Sequence, residues 1–261
     1  MTHHNPQNAM DEKNFEMKIT KSSRDVISFY DRYASTWDER FGSRNSTLEF
    51  HRLRLDSFLK IANLKPTDLL VELGVGTGTY LDVLSARVKE VVCVDGSEEM
   101  LKVLREKHGN LPNIKLLCLD LEHPQKDISF DADVVYCFGL IEHIINVDTF
   151  VLNCRNMVRK AGIVVFITPN GRSPWYGPMR KLWRAGRHCS SDRYYSKEQL
   201  DRLMTSYGFQ LVEAKYWGSF PAGVGEGLYK SLNFIGKLIE KTRFDKYLGG
   251  LTVSYVLKDK K

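Results

Sequence analysis

Leu69-Leu70-Val71-Glu72-Leu73-Gly74-Val75-Gly76-Thr77-Gly78-Thr79-Tyr80 sets the reading of the whole chain. An apolar run of strand character ends in one acidic residue, then in glycines at alternating positions, then in a helical pattern. This combination predicts a buried strand, a tight turn and a helix N-terminus, where backbone can approach a ligand closely. A carboxylate in a buried strand is costly unless it meets a partner, so Glu72 points to a cationic ligand or to nearby amides. The GxGxG spacing departs from the dinucleotide fingerprint, which wants a third glycine three places after the second; Thr79 stands there.

Outward from this stretch, strands and helices alternate. Glu90–Val94 reads as a strand ending at Asp95, and Glu98–His108 as a helix capped by Ser97. Ile114–Leu119 reads as a strand ending at Asp120, and Ala132–Phe138 as another. Val147–Arg159 reads as a helix and Gly162–Thr168 as a strand. Such alternation predicts βαβ units and a parallel sheet, with ligands gathered at the C-terminal strand ends. Upstream, Val26, Ile27, Phe29, Tyr30, Tyr33 and Trp37 recur at helical spacing behind Ser22 or Ser23, and a second helix spans about Thr47–Ala62. Downstream, a helix from Ser196, a strand Phe209–Tyr216, a helical stretch Leu228–Leu248 and a strand Leu251–Leu257 close the chain.

Composition narrows the class. The 261 residues, 43% hydrophobic and 27% charged, suit a globular chain with one full core. No run has the length of a membrane-spanning helix, and Met1–Asn14 lacks an apolar signal core, so the expected location is cytoplasmic. Five cysteines (93, 118, 137, 154 and 189) form no CxxC pair and read as reduced and structural. Charge is uneven: residues 171–261 hold 17 Lys+Arg against 8 Asp+Glu, the remainder 21 against 24. The basic excess thus lies away from the glycine turn.

Three acidic strand ends surround that turn. Asp95 can accept both hydroxyls of a ribose. Asp120 can take an adenine amino group or cap a turn, and the Leu121 amide can serve a ring nitrogen. Met100 can pack on an adenine face or in the core. This set suits a nucleoside carrying positive charge better than a pyrophosphate.

Together these motifs resemble the class I S-adenosylmethionine-dependent methyltransferases over roughly residues 25–257. Val71–Gly78 is similar to the family's first motif, Val94-Asp95-Gly96-Ser97 to its second, and Leu119-Asp120-Leu121 to its third. Phe130–Val135 with Leu140-Ile141-Glu142-His143-Ile144 resembles its fourth-strand region. The resemblance implies a Rossmann-like α/β fold, a seven-stranded, mostly parallel sheet of order 3-2-1-4-5-7-6 with strand 7 antiparallel. It implies S-adenosylmethionine as cofactor, with S-adenosylhomocysteine as product. The implied cofactor residues are Tyr33, Glu72, Gly74, Gly76, Gly78, Asp95, Gly96, Ser97, Met100, Asp120, Leu121 and Phe138. Glu49–Leu55 further resembles the quinone-precursor O-methyltransferases, whose matching arginine binds the cofactor carboxylate, here Arg54. That subgroup sets two glutamates and a histidine on a metal; Gly139 stands at the first position, so no metal is expected. Glu142 and His143 would be ligands only in a metal-dependent enzyme.

The expected organisation is a flexible tail (1–20) and one methyltransferase domain (21–261). That domain carries a helical cover (21–64), a cap insertion (171–195) and a second helical insertion (218–249). The expected reaction is methylation, at oxygen, of a small or lipid-like molecule, with His143 as base or as a loop-orienting residue. Alternatives are RNA or protein methylation and a non-catalytic cofactor-binding regulator; the absence of any nucleic-acid-binding motif argues against RNA. The basic, aromatic segment 171–195 reads as a solvated lid, a peripheral membrane contact or an acidic-substrate or RNA patch. Nothing in the residues indicates an oligomeric state.

Overall fold

The structure, a computed structural model, describes residues 20–41, 45–125, 128–176, 189–218, 226–240 and 242–258. The elements are α1 (Ser23–Tyr33), α2 (Trp37–Phe41), α3 (Asn45–Ala62), β1 (Leu69–Leu73), α4 (Leu81–Ser85), β2 (Glu90–Asp95), α5 (Glu98–His108) and β3 (Ile114–Cys118). There follow β4 (Ala132–Phe138), α6 (Val147–Met157), β5 (Val158–Pro169), α7 (Lys197–Ser206), β6 (Phe209–Trp217), α8 (Glu226–Ile239) and β7 (Gly250–Leu257). The strands form one seven-stranded sheet of order β3-β2-β1-β4-β5-β7-β6. β7 runs antiparallel to β5 and β6, and the other pairings are parallel.

Strand alternation splits the core into two layers. Val71, Leu73, Val92, Val94, Val135 and Cys137 face one side, where α6 and α7 contribute Phe150, Val151, Cys154, Leu200 and Met204. Leu70, Val91, Cys93, Val134 and Tyr136 face the other, against Phe58 of α3, Leu81 and Leu84 of α4, and Leu101 and Leu104 of α5. Both faces are covered, so β1 is apolar at every position but Glu72.

Local chemistry sets the helix starts. Ser22 caps α1 in a reciprocal box with Asp25, Ser97 caps α5 through the Met100 amide, and Ser196 caps α7 with Gln199. Two boundaries differ from the pattern-based expectation. β5 begins at Val158, not Gly162, because Val158 pairs with Ala132 and Arg159 binds the Asp133 carboxylate at 2.7 Å; the run read as a helix end is strand edge. The stretch 228–248 is not one helix: after α8, the Thr242 hydroxyl accepts the Phe244 amide and a single 3₁₀ turn (Asp245–Tyr247) follows. Most of the basic cap, residues 177–188, and the glycine-rich loop 219–225 lie outside the described residues. Among the described residues, no helix is long and apolar enough to cross a membrane.

Candidate active site

One cavity of about 260 Å³ opens at the C-terminal ends of β1 to β5. Its floor is the turn after β1. Gly74 takes φ +67°, and a Cβ there would lie 2.7 Å from Leu140; Gly76 takes φ +56° and a Cβ there would meet nothing within 4 Å. The first glycine therefore allows close packing beneath the turn, while the second leaves space above it. Asp95 holds the turn, its two oxygens accepting the Gly76 amide at 2.8 Å and the Ser97 amide at 2.9 Å. Burial raises the Asp95 pKa against the pull of those amides.

Glu72 is 3% exposed and takes a hydrogen bond from the Tyr136 hydroxyl at 2.9 Å. Burial pushes its pKa up to about 8, with Tyr136 and Arg54 pulling down and Asp95 pushing up. Arg54 lines the same cavity from α3. Its guanidinium lies 5.4 Å from the Phe138 ring centroid and 5.9 Å from that of Phe50, and its Nε is buried with no hydrogen-bond partner. Gly139, at φ +68°, makes room for it, since any Cβ there would collide with the Arg54 Nη2 atom. The glycine at that position is thus the complement of this arginine.

α1 closes over the turn. Ser23 donates to Asp120 at 2.6 Å, Ser97 donates to Asp31 at 2.5 Å, and Ile27 packs where a Gly96 Cβ would stand. Just beyond, Thr77 donates to Asp38 at 2.6 Å and Lys107 pairs with the same carboxylate at 2.7 Å. Asp120 also accepts the Glu122 amide at 2.9 Å, so it caps a turn while lining the cavity.

At the β4 and β5 ends the lining is different. His143 Nδ1 lies 2.8 Å from Asp192 Oδ1, and the second Asp192 oxygen accepts the Cys189 amide at 3.1 Å. Burial disfavours the charged imidazole, but the Asp192 hydrogen bond and the charges of Glu142 and Asp192 outweigh it, raising the His143 pKa. Glu142 is buried and accepts from the Thr168 hydroxyl at 3.0 Å. Among the described residues, no group of three or more His, Cys, Asp and Glu side chains is placed to hold a metal ion. A second histidine, His51, shares a 2.6 Å hydrogen bond with the Tyr80 hydroxyl; burial and Arg54 pull its pKa down to about 4.

Of the residues singled out in the sequence, the cavity gathers Arg54, Glu72, Gly74, Gly76, Asp95, Gly96, Asp120, Leu121, Phe138, Glu142 and His143. Gly78, Ser97, Met100 and Tyr33 lie outside its lining. Met100 is buried, and Ser97 serves as the α5 cap. Tyr33 stacks on Phe29 at 4.9 Å, one turn too far along α1; Tyr30 reaches the cavity instead, 5.6 Å from the His143 ring. His51, Thr168, Tyr176, Trp217 and the positioning Asp192 were not singled out. His51 sits three residues before Arg54 on the same helix, which is a signal; Asp192 meets His143 across 49 positions with none.

The sequence matches the family described as Methyltransferase domain (Methyltransf_11) over residues 71–166. A malonyl-[acyl-carrier protein] O-methyltransferase of Marinomonas sp. (strain MWYL1) is 28% identical over 58% of this chain and 59% of its own length. A ubiquinone biosynthesis O-methyltransferase of Neisseria meningitidis serogroup C (strain 053442) is 27% identical over 55% of this chain and 61% of its own. The chain thus spans about three fifths of the length of these relatives. Among solved structures, a DhpI–SAH complex superposes with a TM-score of 0.58 at 18% identity, covering 90% of this chain and 96% of the other. The matched domain carries β1 to β5, the strands whose ends build the cavity, and the sheet has the expected order. Residues 71–166 thus match a methyltransferase domain, and the chain is similar in sequence to S-adenosylmethionine-dependent methyltransferases and in fold to their solved structures.

Proposed function

We propose that the chain transfers a methyl group from S-adenosylmethionine to an oxygen of a small or lipid-like acceptor. The observation carrying this reading is one cavity that brings together the Glu72 carboxyl and the Arg54 guanidinium, two further carboxyl groups, Asp95 and Asp120, and the His143–Asp192 pair. An amino-acid group fits the first pair, its ammonium facing Glu72 and its carboxylate facing the Arg54 guanidinium, whose Nε has no partner within the protein. Asp95 would hold ribose hydroxyls, and the space above Gly76 lets backbone approach the bound molecule. When bound, the cofactor supplies a methyl carried on a sulfonium, already electrophilic.

The protein then needs to position the acceptor and remove its proton. With Asp192 ionised, the short contact fixes the proton on His143 Nδ1 and leaves Nε2 as the basic atom. With the cofactor bound, the acceptor oxygen would bond to the methyl carbon as the carbon–sulfur bond breaks and leaves its electron pair on the thioether of S-adenosylhomocysteine. The acceptor's proton would go to Nε2, and Asp192 would stabilise the resulting imidazolium. Tyr30, Trp37, Phe50, Phe138, Tyr176 and Trp217 give the cavity an aromatic lining that favours a flat or apolar acceptor over a nucleic-acid or protein segment.

Calorimetry with S-adenosylmethionine tests the first part, with micromolar binding expected and no binding overturning it. Asp192→Asn tests the second on a panel of catechol, hydroquinone and carboxylate acceptors. It should lower kcat by ~10²-fold and move the acid limb of the pH profile to lower pH, because the charge that raises the His143 pKa is gone. An acidic limb that stays in place removes His143 as the base; a carboxylate acceptor, which needs no base, would give that result.

A further inference from the structure

α8 presents apolar side chains to solvent. Phe234 is 66% exposed, Leu238 56% and Ile235 49%, and helical spacing puts the three on one face. Leu232, Gly236 and Ile239 occupy the opposite face, turned towards the protein. Lys230 and Lys237, both exposed, flank the Phe234–Leu238 stripe on one side. The turn that follows continues the pattern: Phe244 is 52% exposed beneath the Arg243 guanidinium at 5.3 Å, and Tyr247 is 44% exposed with the Lys246 ammonium 5.5 Å from its ring. Five of the nine large hydrophobic side chains exposed among the described residues thus lie within 14 positions of sequence. Isolated exposed apolar residues need no explanation, but a cluster of this kind marks an interaction surface.

We propose that α8 and the turn after it form a docking surface for an anionic lipid bilayer, the apolar stripe entering the headgroup boundary and the cationic heads pairing with lipid phosphates. Charge selects this occupant. Residues 226–247 carry five Lys+Arg against three Asp+Glu, a basic excess that complements anionic headgroups and that a second copy of the same face would not neutralise. Aromatic rings beside long cationic side chains suit an interface that is apolar on one side and wet on the other. The surface also has a defined place relative to the cavity. The insertion bearing α8 leaves the sheet at Trp217 and returns at Gly249 and Gly250, and all three line the cavity. This inference stands apart from the methyl-transfer reading, and its test needs no turnover.

The purified full chain is sedimented with vesicles of phosphatidylcholine alone and of phosphatidylcholine with phosphatidylglycerol. Binding to the anionic vesicles, weakened by added salt and absent on neutral ones, is the expected result. Phe234→Ser with Leu238→Ser should weaken it more than tenfold, and Lys230→Glu with Lys237→Glu should abolish the preference for anionic lipid. Unchanged circular dichroism and melting show that either pair still folds, since all four positions face solvent. No binding to either vesicle, equal binding of the wild type and both variants, or a self-association that the Phe234/Leu238 pair abolishes would overturn the proposal.

Discussion

Burial pushes the Glu72 pKa up to about 8 despite the Tyr136 hydrogen bond and the Arg54 charge, which favours its protonated form at neutral pH. An ammonium group arriving beside it reverses that balance by favouring the ionised form. On the proposed placement of the ammonium at Glu72, cofactor binding at pH 7 should release protons, and affinity should tighten as pH rises towards 8. Calorimetry in buffers of different ionisation heat reads this directly; Glu72→Gln should bind more weakly and release none. At this scale the acidic strand ends were legible, since a carboxylate closing an apolar run has few structural excuses. The choice of Tyr33 over Tyr30 was not, because both belong to the same helical repeat and only the docking angle of α1 separates them. Asp192 was illegible for a different reason: its partner is far away in sequence, and a lone aspartate in a basic segment carries no pattern.

At the scale of elements, α1 is the piece whose stability and function are most directly joined. It is short, with Val26 and Phe29 as its buried residues, and its Ser23, Asp31 and Ile27 contacts cover the turn after β1. Helices of this length are marginal without caps. Ser22→Ala removes the capping box and should cost about 1 kcal/mol of local stability. The cost should appear as a roughly fivefold weaker cofactor affinity and faster amide exchange across 23–33, with little change in global melting. Element boundaries followed the same division between local and distant causes. The starts of α5 and α7 were readable because their serine caps are local. The start of β5 was not, because Val158 is recruited by β4, a partner that periodicity cannot see.

At the scale of the whole molecule, one hydroxyl joins three elements. Thr252, fully buried in β7, accepts from Ser57 of α3 at 2.8 Å and from the Trp217 indole at 2.9 Å. Thr252→Val leaves both donors unsatisfied in the core and should destabilise the protein by roughly 2–4 kcal/mol, read as a lower urea midpoint with unchanged slope. Thr252→Ser should keep most of the stability. The position of β7 between β5 and β6 was expected from family resemblance; nothing in the residues of β7 itself states which strands it separates or in which direction it runs.

That insertion has a consequence for synthesis. β5 ends at residue 169 and β7 starts at 250, yet the two are hydrogen-bonded neighbours. At about 5–20 residues per second, the ribosome needs roughly 4–16 s to deliver the strand that β5 is waiting for. During that interval β6 has also emerged and lacks its partner, so two open strand edges coexist on the nascent chain. The interval between the first open edge and its closure is when this protein is most exposed to aggregation, and when a chaperone would find it.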